Sequence, residues 1–305
     1  MNQACIFKDK IMIIAQKIAA LTATLTSAMS LLAAPAMAFS VGATNNIQTL
    51  TNNLLGPHTA GLSNFSVSIT GNQEAFGIFT DDPFGLKSGV VLSTGRVTAL
   101  PGPNRKDNDF MGGSDLSTDF LPFGEPGDLT QLNLSFFADS TAEKLFFEYV
   151  FASEEFLEYG GSTYNDDFEL LLNGTNLAKL SDGKAATINN LVPNTNNRST
   201  DHPDYINNPS LRGIAANIIR VDGFTKVLGF EGLLNKNQTN VLSVRVKDVG
   251  DGKLDSAVFI KGDSLGTVKP GSVQPEPVPE PMTVGGLMAG GAMLAAGRKL
   301  RDRRK

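Results

Sequence analysis

A chain of 305 residues, 41% of them hydrophobic, is long enough to bury a sizeable core in one large or two ordinary domains. With only 19% charged residues and 31 glycines, it is not a protein of long charged helices. The formal net charge of −5 is unevenly spread: two basic ends flank an acidic body, and that body excludes nucleic acid and anionic membrane surface as its partner.

Residues 1–38 read as a secretory signal peptide. Lys8, Lys10 and Lys17 form the basic region, and "IAALTATLTSAMSLLAA" forms the apolar one. Pro35 breaks the helix, and Ala36 and Ala38 give the small-x-small pattern that signal peptidase cuts, so cleavage is expected after Ala38. The same small-residue site argues against a short first transmembrane helix. Cys5, the only cysteine, falls inside this segment. The exported chain would therefore have no disulfide and no thiolate ligand, and it must be held by packing and ions.

Beyond Ala38, Ile47, Leu50 and Leu54 recur at helical spacing and Gly56-Pro57 ends the pattern, which predicts a short amphipathic helix. "NFSVSIT" alternates Phe65, Val67 and Ile69, the pattern of a half-buried strand. "GVVLSTG" is a continuous apolar run of the fully buried kind, and "PGPNRKDNDFMGGSD" is loop by composition. "LTQLNLSFF" alternates again, and "KLFFEYVF" is the next strand. "FELLLNGTNLAKL" predicts a hairpin turning at Asn173-Gly174, the pair favoured in type I′ turns. "NTNNRSTDHPDYINNPS" reads as a polar loop. "NVLSVRVKD" alternates Leu242, Val244 and Val246, and "SAVFI" is the last strand. The expected fold class is all-β: a single β-sandwich or jelly-roll-like domain over 39–268, with a short N-terminal helix.

One stretch stands out chemically. Between Phe151 and Leu170 lie Glu154, Glu155, Glu158, Asp166, Asp167 and Glu169, with no Lys or Arg from Lys144 to Lys179. A second acidic group, Asp248, Asp251 and Asp255, follows a strand far along the chain, without the spacing of an EF-hand loop. Facing alternates along a strand, so of Glu154 and Glu155 one is expected to point inward and the other to solvent. Two readings stand. Either both groups are solvated, with Lys247 and Lys253 neutralising the second, or strand ends from both groups meet and hold a hard cation. Ca²⁺, which takes six to eight oxygen ligands, is the cation expected, with Glu154, Glu155, Asp166, Asp248, Asp251 and Asp255 as candidate ligands.

Other chemistry finds little support. Gly183-Lys184 and Gly252-Lys253 lack the earlier glycine of a phosphate loop, and there is no G-x-S-x-G elbow and no zinc-spaced histidine pair. His58 and His202 both lie in loop-like sequence, and His202 is expected to be solvated. Paired carboxylates also suit a glycosidase, but Trp is absent and Tyr numbers four, so aromatic platforms for sugar rings are scarce.

The C-terminal end has three parts: a Pro/Glu linker over 269–281, 16 uncharged residues from Met282 to Gly297, and a basic tail over 298–305. A helix of that length rises about 24 Å, against a hydrocarbon core of about 30 Å, so 282–297 would be a marginal transmembrane helix with its tail held in the cytoplasm. Setting aside three Lys and one Asp in the signal peptide, and six basic residues and one Asp after Pro281, leaves 17 basic and 29 acidic residues. The body thus carries a net −12.

This end resembles a PEP-CTERM sorting signal, with Pro279, Glu280 and Pro281 abutting the apolar run. The resemblance implies a chain held briefly in the membrane, processed by an exosortase near the tripeptide, then released or attached at the cell surface. The body resembles a second family, the choice-of-anchor L domain. The match lies in Ser153-Glu154-Glu155, Asn165-Asp166, Asn173-Gly174, "DGFT" (Asp222–Thr225), "DVGDGKLDSAVFI" (Asp248–Ile260), "VLSTG" and Gly102–Asn104. It covers about Thr44 to Ser264, and Phe156 stands where that family tends to have Tyr. The family implies a bacterial surface or matrix protein without an assigned activity. The expectation is thus a non-enzymatic exported protein whose partners are signal peptidase, exosortase, the membrane before processing, and exopolysaccharide. The alternative is a carboxylate-dependent extracellular enzyme or polysaccharide-binding module.

Overall fold

The computed structural model describes residues 38–106, 115–118, 120–121, 127–250 and 252–270. The signal segment up to Met37, Asp251, the linker from residue 271, Pro279-Glu280-Pro281, the apolar run 282–297 and the basic tail lie outside them. Among the described residues no helix is long and apolar enough to cross a membrane.

Two antiparallel sheets form the protein. Sheet I contains β1 (Ser40–Ala43), β3 (Phe76–Thr80), β4 (Ser88–Ser93), β6 (Lys144–Ser153), β9 (Tyr205–Asn207), β10 (Gly223–Thr225), β11 (Leu228–Leu233) and β13 (Ser256–Lys261). Its order is β1-β3-β4-β13-β6-β10-β9, with β11 also pairing with β6. Sheet II contains β2 (Leu62–Thr70), β5 (Leu129–Ala138), β7 (Asp167–Leu172), β8 (Thr175–Asn176) and β12 (Gln238–Lys247), in the order β2-β5-β12-β7-β8. Helix α1 (Ile47–Leu54) is capped by the Asn46 side chain, which accepts from the Thr49 N–H at 2.9 Å, and it buries Leu50 and Leu54. A single turn, α2 (Ile188–Leu191), leads into the long loop before β9.

The two sheets read differently in sequence because they are covered differently. In β5, β7 and β12 every second residue is buried, so sheet II has one packed face and one wet face. Arg245 and Glu169 pair at 2.9 Å on that wet face. In β4, β6 and β13 nearly every residue is buried, because sheet I is covered on both faces. Leu92, Phe147, Phe151, Val258 and Ile260 face the interior between the sheets. Val91, Val150, Ala152, Ala257 and Phe259 face an outer core closed by Phe39, Leu100, Leu116, Ile219 and Val221. Burying each such side chain contributes about 1.5–3 kcal/mol, and in the interior Phe147 stacks on Phe230 with centroids 4.4 Å apart.

The hairpin at Asn173-Gly174 forms as the sequence predicts, with φ of 51° and 85° as a type I′ turn requires. The expected polar loop at 194–210 contains β9, and His202 is buried rather than solvated. Its Nδ1 accepts from the Asp204 N–H at 3.1 Å and its Nε2 lies 3.4 Å from Asp182 Oδ1. Both ring nitrogens are engaged locally, so burial leaves neither of them unsatisfied.

Strand register sorts the molecule into two poles. Ser153 pairs with Ser256 and with Gly223, Ser93 pairs with Ala257, and Asp167 pairs with Lys247, so these strand ends gather at one pole. At the other pole, Lys144 pairs with Leu233, Lys261 with Gly89, and Ser40 with Thr80.

Candidate functional site: a carboxylate-rich pole

At the first pole strand after strand begins or ends in an acid. Asp128 precedes β5, Glu154 and Glu155 follow β6, Asp166 precedes β7, Asp222 precedes β10, Asp248 follows β12, and Asp255 precedes β13. All seven are buried, whereas among the described residues no Lys or Arg is. Ionised carboxylates are strongly hydrated, and removing one from water costs several kcal/mol unless something compensates it.

The acids of the 154–169 stretch divide by depth. Glu169 sits on the wet face of sheet II and meets Arg245, so a distant part of the chain supplies its cation. Asp167 lies opposite Lys247 in the ladder, on that outer face. Glu154, Glu155 and Asp166 are 0%, 2% and 0% exposed. The expectation that one of Glu154 and Glu155 faces solvent is therefore wrong. Both faces of sheet I are covered, so a residue turned away from the interior still enters a core. The solvated reading also fails for Asp166, Asp248 and Asp255, and Lys247 and Lys253 are both exposed.

Asp166 and Asp248 are brought together. They come from adjacent strands of sheet II, one residue beyond the Asp167–Lys247 pair, and each carboxyl acts on the other. Asp166 is fixed from two sides: Oδ1 accepts from the Val249 N–H at 2.9 Å, and Oδ2 accepts from the Ser256 hydroxyl at 2.7 Å across to sheet I. Thr94 lies near Asp248 at the end of β4 and accepts from the Ser256 N–H at 2.9 Å. Asp248 Oδ1 is buried without a hydrogen-bond partner. Burial pushes the Asp166 carboxyl up to about 7. Burial, then the charge of Asp166, raises Asp248 well above the usual carboxylate range, and Asp255 and Glu155 add to the repulsion.

Asp255 lies beside this pair and is held by Thr118, whose N–H donates to Oδ1 at 3.0 Å and whose hydroxyl donates to Oδ2. Gly95 admits it: a Cβ at Gly95 would lie 2.0 Å from Asp255 Oδ2. Glu155 donates its N–H to the Ser153 hydroxyl at 3.0 Å. Of the six candidate ligands, then, Asp166 and Asp248 meet, Asp255 and Glu155 act on Asp248 electrostatically, Glu154 is buried at the same strand end, and Asp251 lies outside the described residues. Among the described residues no three acidic, His or Cys side chains are already arranged around one point.

Asn104 and Asp222 belong to this pole and were not among the candidates. The Asn104 amide donates to Asp222 Oδ1 at 2.7 Å, to the Asn208 carbonyl at 2.9 Å and to the Val221 carbonyl at 3.3 Å, while its own Oδ1 is buried without a partner. Nothing in the periodicity marks Asn104, which sits in a stretch that reads as loop by composition. Phe156, in place of the expected Tyr, is fully buried, 4.8 Å from the ring of Tyr205. The position therefore uses the aromatic ring for packing.

A family model described as the choice-of-anchor L domain matches residues 40–266. No curated protein and no solved structure matches the chain.

Proposed function

Because the chain belongs to the choice-of-anchor L domain family, a family of surface-associated proteins, we propose that it is an exported, non-enzymatic surface module sorted by its C-terminal end. The observation that carries this is the extent of the match, residues 40–266. The domain fills the stretch between the expected cleavage at Ala38 and the linker, leaving the two basic, apolar ends outside it. Signal peptidase removes the first, and an exosortase processes the second near Pro279-Glu280-Pro281.

Burial of the carboxylates supports a non-catalytic role. Glu154 and Asp166 are 0% exposed, so a sugar ring has no approach to the acids that a glycosidase would need at its cleft. The test is replacement of Pro279, Glu280 and Pro281 by Ala in an exosortase-bearing host, followed by fractionation. The variant should accumulate unprocessed in the membrane fraction. Processing and release at the normal rate would refute the sorting assignment.

A further inference from the structure

We propose that the buried Asp166–Asp248 pair is the nucleus of a Ca²⁺ site that ties sheet II to sheet I at the carboxylate-rich pole. Asp166 is already bound across to sheet I through the Ser256 hydroxyl at 2.7 Å, and Asp248 is its neighbour on the next strand. Both carboxylates are at least nine-tenths buried, and Asp248 keeps one oxygen, Oδ1, with no hydrogen-bond partner. The charges of Asp166, Asp255 and Glu155 all act on Asp248. A buried carboxylate oxygen that lacks a donor and is surrounded by other carboxylates lacks a positive charge.

The donor set selects the cation. Carboxylate, hydroxyl and main-chain oxygens surround the pair, and the described residues offer no thiol or imidazole there, so a hard ion is favoured over zinc. Ca²⁺ tolerates irregular sets of six to eight oxygens, whereas Mg²⁺ demands near-octahedral geometry. Since among the described residues no three acid side chains already surround one point, binding has to draw in the Asp255 carboxylate from its present partner, Thr118, or the buried Glu155 carboxylate. The site is formed only by the folded pole, because its ligands come from three different strand ends. Binding therefore stabilises the fold.

The experiment uses the purified protein, without reference to its sorting, so its failure leaves the surface assignment untouched. Metal content is measured by elemental analysis, and Tm is measured with Ca²⁺, with Mg²⁺ and with chelator. We expect about one bound Ca²⁺ per chain, and a fall in Tm on chelation of about 5–10 °C that Ca²⁺ reverses and Mg²⁺ does not. Asp248→Asn keeps the shape and removes one charge. It should raise the Tm of the chelated protein and abolish the Ca²⁺ response. Should that variant fail to fold, Asp166→Asn and the metal content of the unaltered protein decide the matter. A metal-free protein whose Tm ignores millimolar Ca²⁺ would overturn the proposal, and so would an Asp248→Asn protein that still responds fully.

Discussion

Asn104 reaches across 118 residues of chain to place its side-chain amide 2.7 Å from Asp222 Oδ1, and both residues are fully buried. The same nitrogen caps two main-chain carbonyls, of Asn208 and Val221, that flank the approach to β10. One side chain thus fixes the strand that lies beside β6 at the carboxylate-rich pole. Asn104→Ala deletes all of these bonds in the interior. A hydrogen bond to a charged group contributes about 1.5–3 kcal/mol, so a loss of about 3 kcal/mol is expected, read as a shifted urea midpoint. As a control, Arg245→Ala breaks the half-exposed pair with Glu169 and should cost under about 1 kcal/mol. Equal costs for the two variants would contradict the depth argument.

The pH dependence follows from Asp166. Its carboxyl is pushed up to about 7 in the folded protein, largely by burial, from an ordinary 3.8. Between those values the folded state holds more protons than the unfolded one, so stability falls as pH rises through that window. Chelated protein should therefore be most stable near pH 4 on this account and lose Tm steadily toward pH 7. Saturating Ca²⁺ should flatten or invert that slope. A chelated protein whose Tm rises across pH 4–7 would show that Asp166 is not carrying a burial penalty.

Gly95 is expected to be intolerant of any side chain. The methyl of Gly95→Ala would lie 2.0 Å from Asp255 Oδ2, so Asp255 must leave Thr118 or the β4 end must shift. Large destabilisations come from such steric conflicts in packed sites, and a loss of about 2 kcal/mol or more is expected in thermal unfolding. A Tm within about 1 °C of the unaltered protein would mean that the carboxylate moves freely.

The mature N-terminus is expected at Phe39. Phe39 is 8% exposed, with its ring 6.2 Å from that of Phe259 in the outer core. Cleavage after Ala38 would leave a first residue that is anchored by packing. N-terminal sequencing of exported protein should read Phe-Ser-Val. Retention of Met1 or Met12 would rule out that cleavage.

The strands most legible in the sequence are those whose two faces differ. Leu132, Leu134 and Phe136 alternate with polar residues because sheet II has one wet side. The run at Val90–Leu92 and the run at Leu145–Ala152 betray a buried strand for the opposite reason. The strands β1, β9 and β10 are three or four residues long, too short to show a period, and β11 carries two glycines among its apolar residues. Within the acidic stretch, the sequence separates the two clusters but cannot say that they are sealed from water. That depends on the outer core, built by Leu100, Leu116 and the 215–221 segment, none of which lies in a predicted element. His202 is misplaced for the same reason: a polar loop folded over a sheet becomes an interior.

The two poles of the sandwich also set a direction. Ser40 pairs with Thr80 and Gly266 bonds to Phe146, so the domain's first strand begins, and its last described turn lies, at the end remote from Asp166 and Asp248. Any tether through the segment that follows Pro270 would therefore leave the domain from the pole opposite its buried carboxylates, which leaves the acidic pole clear of the point of attachment.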